Sequence, residues 1–167
     1  MIKEITPPNQ ILSQKQDVKI FLAGTIDNGD SEDWQRIALN YLSREFNKIG
    51  YTKRDLFILN PRRVEWDTSW EQKFESPQFF QQVTWEIDAM EKANLIIMNF
   101  LPNSKSPISL LELGLFAKSN KILVCCPDEF YRSGNVQIVC NKFNIPLFKA
   151  MPELLKNINL ETLSYEL

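Results

Sequence analysis

The 167-residue chain contains no histidine. This removes the side chain that most often serves as a general base near neutral pH. With it go the Ser-His-Asp and Cys-His nucleophilic systems and the commonest metal ligand. Any catalysis must rest on carboxylates, hydroxyls, thiols, lysine, arginine or tyrosine. Cysteine is scarce as well. Cys125, Cys126 and Cys140 are an odd number without framework spacing, which points to free thiols in a reducing compartment. They are too few soft ligands for a thiolate metal centre, and neither metal nor cofactor is expected. No apolar run approaches the roughly 20 residues of a membrane span. The segment Met1-Ile2-Lys3-Glu4-Ile5-Thr6-Pro7-Pro8 lacks the apolar core of a signal peptide, so a cytoplasmic protein is expected, with no membrane partner. An excess of one charge is also missing. The formal net charge is −2 and no long block of like charge occurs, so a basic face for nucleic acid is not supported.

What is present reads as one domain over residues 1–167, long enough to bury a sizeable core. Residues 1–16 are polar and contain Pro7-Pro8, the pattern of an extended arm. Val18 to Ala23 is a strand that runs into Gly24-Thr25, and a helix from about 32 to 48 follows, capped by Asp30 or Ser31. Its apolar positions Trp34, Ile37, Ala38, Tyr41, Leu42 and Phe46 fall at helical spacing. Leu56 to Leu59 is a second strand, ending at Asn60-Pro61-Arg62-Arg63. Residues 64–78, with Trp66, Trp70 and Phe74, read as an irregular insert, either a lid or an aromatic-anchored surface loop. A helix from Pro77 to Lys92 turns Phe80, Val83, Ile87 and Met90 inward. Leu95 to Phe100 is apolar on both sides, as a central parallel strand must be. Helix 109–119, strand 121–126, a helix over 134–144, strand 145–148 and a last helix over 152–158 complete the alternation. This order predicts an α/β fold with a five-stranded, mostly parallel sheet and helices on both faces. Ligands of such folds sit beyond the carboxyl ends of the strands.

Three polar clusters fall at those ends: Gly24-Thr25-Ile26-Asp27, Asn60-Pro61-Arg62-Arg63, and Pro102 through Glu112. Gly24 lets backbone approach a ligand, or is a plain turn glycine. Adjacent Arg62 and Arg63 repel unless each has an anion, which suggests a phosphate or carboxylate partner or one internal ion pair. Gln82 and Glu86 share a helix face, which is either functional or solvated. Glu112 lies among Leu110, Leu111, Leu113 and Leu115, and a charge in such company is costly unless paired or used. Ser109 and Glu112 also have the spacing of a capping box.

These segments resemble the nucleoside 2-deoxyribosyltransferase superfamily, including its nucleoside 5′-monophosphate N-glycosidase branch. The carriers are Phe21-Leu22-Ala23-Gly24-Thr25-Ile26, Asn60-Pro61-Arg62-Arg63, Trp85-Glu86-Ile87-Asp88, Ser106 through Gly114, and Gly134-Asn135-Val136. The resemblance implies a flavodoxin-like, doubly wound sheet. It implies cleavage of the bond between 2′-deoxyribose and base, with Glu112 attacking the anomeric carbon to form a covalent deoxyribosyl-enzyme. Glu86, or its neighbour Asp88, is implied to contact the base. Gly24, Thr25, Asp27, Arg62, Arg63, Ser106 and Ser109 are implied to bind the deoxynucleoside or its 5′-monophosphate. Asn135 matches a loop that reaches a neighbouring subunit's sugar, which implies a homo-oligomer with shared sites. It also suits an ordinary helix cap. Ser106 stands where transferases often carry aspartate, a departure toward the phosphate-binding hydrolase branch. A non-catalytic nucleotide-binding or sensing module on the same fold is the alternative, distinguished by binding without release of base.

Overall fold

The computed structural model describes residues 1–26, 31–50, 54–63, 65–67 and 69–164. In chain order the elements are β1 (Ile2–Ile5), β2 (Val18–Gly24), α1 (Trp34–Lys48), β3 (Leu56–Leu59), α2 (Pro77–Lys92), β4 (Leu95–Asn99), α3 (Pro107–Phe116), β5 (Ile122–Cys125), α4 (Ser133–Phe143), β6 (Leu147–Phe148) and α5 (Met151–Lys156). All strand pairs are parallel, in the order β1-β3-β2-β4-β5-β6. This is the flavodoxin-like arrangement with one strand added. The expected count of five becomes six because Ile2–Ile5, read as part of an extended arm, pairs with Leu56–Leu59. Two charges anchor the addition: the Met1 ammonium and Lys3 Nζ meet the Asp55 carboxylate at 2.6 and 2.8 Å.

The fully buried strands explain their composition. Every residue of β3 and β4 is buried, and these strands carry Leu, Ile, Phe and Met with a single closing asparagine. Their alternating side chains feed two cores. One lies under α2, α3 and α4, around Phe21, Trp85, Met90, Ile96 and Leu113. The other lies under α1 and α5, around Ile20, Trp34, Leu42, Ile97 and Leu155. Lys121, just before β5, donates to the carbonyls of Met90, Glu91 and Ala93 at 2.7, 2.9 and 3.1 Å and so satisfies the end of α2. Among the described residues no helix is long and apolar enough to cross a membrane.

Two helices depart from expectation. On α2 the buried residues are Gln82, Trp85, Ala89 and Met90, whereas Phe80, Val83 and Ile87 are exposed. Only Met90 of the expected inward set faces the core. The α1 helix starts at Trp34, with Asp33 as its cap; the Asp33 carboxylate accepts from the Arg36 N–H at 3.0 Å. Ile37 is exposed and Tyr41 half-buried, so the inward stripe is narrower than its apolar spacing suggests.

Candidate active site

The sheet reverses its winding between β2 and β4, whose register aligns Gly24 with Asn99. At such a switch point the connections leave in opposite directions and a crevice opens. Gly24 has φ +128°, and a Cβ there would fall 2.2 Å from the Asn99 carbonyl oxygen. Glycine is therefore required by two constraints together, backbone conformation and the closeness of β4. Thr25 follows directly and is buried. Its hydroxyl lies 2.9 Å from Ser104 Oγ and 2.7 Å from Ser106 Oγ, and these two serines are 2.9 Å apart. The Thr25 hydroxyl also accepts from the Leu101 N–H at 3.1 Å. This triangle fixes the loop that leads into α3. Ser106 completes it with φ 42°, a left-handed conformation uncommon outside glycine.

α2 and α3 both begin at the carboxyl edge of the sheet, and both carry polar residues inward in their first half. On α3 the inward face is Ser109 and Glu112, then Leu113 and Ala117. On α2 it is Gln82 and Glu86, then Ala89 and Met90. Glu112 is only 8% exposed. Burial drives its pKa up to about 8, with the nearby Glu86 charge as the second cause. Burial likewise raises Glu86 to about 7, opposed by a hydrogen bond from Gln82 Nε2 at 2.8 Å. The same Gln82 nitrogen donates to the Pro61 carbonyl at 3.0 Å, tying α2 to the end of β3. Glu112 is buried and Glu86 half-buried. Two such carboxyls that repel each other titrate as a pair and share a proton around neutral pH.

The capping-box alternative for Glu112 fails on geometry. The α3 helix starts at Pro107, not Ser109, and places Glu112 in the second turn, beyond the unpaired N–H groups of the helix end. Asp88 is exposed, two residues and about 200° around α2 from Glu86, and does not join the pair. Arg62 turns to the start of α1. It reaches Ser31 Oγ at 3.1 Å, the Glu32 carbonyl at 3.2 Å and the Asp33 carboxylate at 3.6 Å. Arg63 diverges from it, lying over the Trp70 ring at 4.9 Å and reaching Gln81 at 3.3 Å. The insert is thus anchored by aromatic contacts, Trp66 with Trp70 and Phe74 with Phe80. Asn135 is exposed on the first turn of α4, in a cleft of about 320 Å³ between α3 and α4 that Arg132 also lines. Asp27 lies outside the described residues.

Sequence reasoning did not single out Ser104 and Asn99. The signal for Asn99 was its position as the polar residue closing a fully buried strand. All three cysteines are free and buried, and burial pushes their thiols up to about 11 or 12. Among the described residues no three His, Cys, Asp or Glu side chains gather as a metal set would require.

Fold and site together define a flavodoxin-like α/β protein with a carboxyl pair, one member buried and one half-buried, beside its switch point. The chain belongs to the nucleoside 2-deoxyribosyltransferase-like family, whose model matches residues 17–130. The match takes in Gly24, Thr25, Glu86, Ser106 and Glu112 and stops before Asn135. Comparison with curated proteins finds no match. Membership brings a nucleoside deoxyribosyltransferase-like activity in general terms, on small nucleoside-type molecules.

Proposed function

We propose that the protein cleaves or transfers the N-glycosidic bond of 2′-deoxynucleosides or their 5′-monophosphates, with Glu112 as nucleophile. The observation that carries this reading is the pair of carboxyls at the carboxyl edge of the sheet, Glu112 buried and Glu86 half-buried. A retaining displacement needs one anionic carboxylate and one proton donor. The pair supplies both when it holds a single proton. Glu112, with the higher pKa, holds that proton for most of the time in the free protein. The reactive form carries it on Glu86, which donates it to a ring nitrogen of the departing base. Glu112, ionised, attacks the anomeric carbon as the C–N bond breaks, and the bonding electrons leave with the base. Water or a second base then displaces Glu112 from the sugar. The transition state is oxocarbenium-like, and the charge of Glu112, itself largely shielded from solvent, stabilises it. The absent 2′-hydroxyl makes that cation easier to reach. Because one proton is needed, base release should peak between the two titrations, from about pH 7 to about pH 8.

Thr25, Ser104 and Ser106 supply hydroxyls beside Gly24 for sugar or phosphate, and their number favours the 5′-monophosphate. A homo-oligomer completes the reading. Phe80, Val83 and Ile87 on α2, and Ile108, Leu111 and Leu115 on α3, form two exposed apolar stripes on neighbouring helices. A second copy would cover them and bring its Asn135 toward the site. The three buried thiols support a reducing, cytoplasmic setting.

The test is incubation with each deoxynucleoside and each 5′-monophosphate, with and without a second free base. Chromatography then reads free or exchanged base. Free base alone assigns hydrolysis, and a new nucleoside only with acceptor assigns transfer. Binding without either product sinks the enzymatic reading in favour of a sensing module.

A further inference from the structure

A second cleft opens on the opposite face of the sheet, beyond the carboxyl ends of β4 and β5 and between α1 and α5. Its volume of about 480 Å³ is in the range of small-molecule sites. Asn99 forms part of its floor. Along β4, Leu95 and Ile97 face the α1 and α5 side, while Ile96 and Met98 face the other. The period of two therefore turns Asn99 toward this cleft. Asn99 is 4% exposed, and its carboxamide makes no hydrogen bond to a described residue. Its carboxamide opens into the cleft, where a ligand's hydrogen bonds can take the place of water's.

The walls are apolar and partly aromatic, with Trp34 and Tyr41 from α1 and Met151 from α5. The Trp34 N–H is already committed to the Thr25 carbonyl at 2.9 Å, so the indole offers only its ring. At the rim stand Lys149 and Lys156. Lys149 is paired with Asp128, and Lys156 makes no ion pair among the described residues. A carboxamide presents a donor beside an acceptor, and the edge that complements it is the N6 amino group and N7 of adenine. The arrangement therefore offers a polar reader at the floor, flat apolar walls, and a cation at the rim.

We propose that this cleft is a second ligand site, for an adenine 5′-nucleotide whose base lies between α1 and α5 and whose phosphate meets Lys156. The site is separate from the carboxylate pair and does not depend on the proposed activity. Calorimetric titration of the whole chain with adenosine 5′-monophosphate tests it. The ribonucleotide is chosen because its 2′-hydroxyl disfavours cleavage. Saturable binding is expected, with affinity reduced about tenfold or more by Asn99→Leu. Ile37→Trp, at an exposed position that lines the cleft, should reduce it similarly by filling the space without touching the core. Glu112→Gln should bind as the unsubstituted protein does. Inosine 5′-monophosphate, with an acceptor in place of the 6-amino donor, should bind more weakly. The proposal is overturned by absence of saturable binding at millimolar nucleotide, or by equal affinity for the two ribonucleotides. It is equally overturned by binding that Glu112→Gln abolishes and Ile37→Trp spares. Base release from deoxynucleotides is read separately, so failure here and failure of the enzymatic reading are distinct results.

Discussion

The two faces of the sheet are built on opposite rules. On the α1 and α5 side the pattern is closer to ordinary amphipathicity, with buried Gln35 and exposed Ile37 as the departures on α1. Trp34, Ala38, Leu42 and Phe46 face in, while Arg36, Asn40, Arg44 and Lys48 face water. On the α2 and α3 side the polarity is inverted over the first turns. Gln82, Glu86, Ser109 and Glu112 face in, and Phe80, Val83, Ile87, Ile108, Leu111 and Leu115 face out. A helix that buries its carboxylates and exposes its aliphatics gains nothing as an isolated surface element. The inversion makes sense if the interior is reserved for chemistry and the exterior for another subunit. It also explains why α2 and α3 lie over the switch point while α1 and α5 supply the second, apolar-walled cleft.

The largest effect should come from the interior of the inverted face. Glu112→Ala or Glu112→Gln is expected to lower base release by roughly ten-thousand-fold or more, the scale seen when a nucleophile is removed. Single-turnover assays with the best deoxynucleotide substrate measure it, and circular dichroism checks the fold. Activity within tenfold of the unsubstituted protein would reduce Glu112 to a structural residue. The exterior of the same face gives the next effect. Leu111→Asp should weaken self-association about a hundredfold or more, because a symmetric interface counts the lost burial of roughly 1.5–3 kcal/mol twice. Asn40→Asp, on the outer face of α1, should leave the assembly unchanged. Sedimentation velocity reads both, and equal masses across the two variants would erase the contrast between the faces.

A third effect runs against the first in sign. The Glu112 carboxyl is raised to about 8 by burial and by Glu86, against 4.5 as its ordinary value. Between those values the folded state binds more protons than the unfolded one, so stability falls as pH rises through this window. Glu112→Gln removes that dependence. The variant is expected to gain roughly 2–4 kcal/mol over the unsubstituted protein at about pH 9, and little at pH 4.5, because a fully retained proton is worth about 1.4 kcal/mol for each pH step between the two values. Urea denaturation at the two pH values compares them. A variant that is inactive yet more stable at high pH marks a charge held for function rather than for folding.

Much of this contrast is legible in the chain, and the part that is not has physical reasons. Element order, the Gly24 turn and the odd placement of Glu112 all follow from local pattern, because a strand-turn-helix unit advertises itself within a few residues. The inward face of α2 does not. Apolar periodicity locates a buried face but does not say what buries it, and Phe80, Val83 and Ile87 are exposed in the single chain. β1 is hidden because Lys3 and Glu4 break its apolar run, and its partner lies more than fifty residues away. The capping-box spacing misleads because Pro107, preset for the first helical position, starts α3 two residues before Ser109. Gln82 is visible only as a neighbour of Glu86, since its second bond, to the Pro61 carbonyl, spans two elements.

The smallest effect lies at the helix starts. The Asp33 side chain caps α1 by accepting from the Arg36 N–H, whereas Ser76 before α2 and Ser106 before α3 make no such bond. Asp33→Ala should therefore cost about 1 kcal/mol of stability, the usual worth of a side-chain cap. The long ion pair with Arg62, at 3.6 Å and with its Asp33 end exposed, adds little. Ser106→Ala loses no cap. It loses the contacts to Thr25 and Ser104, so its effect should fall on substrate affinity more than on folding. The comparison is made by thermal melts alongside KM for the 5′-monophosphate. If Asp33→Ala raised KM and Ser106→Ala lowered only Tm, the division would be reversed, and the hydroxyl triangle would serve the scaffold rather than the ligand.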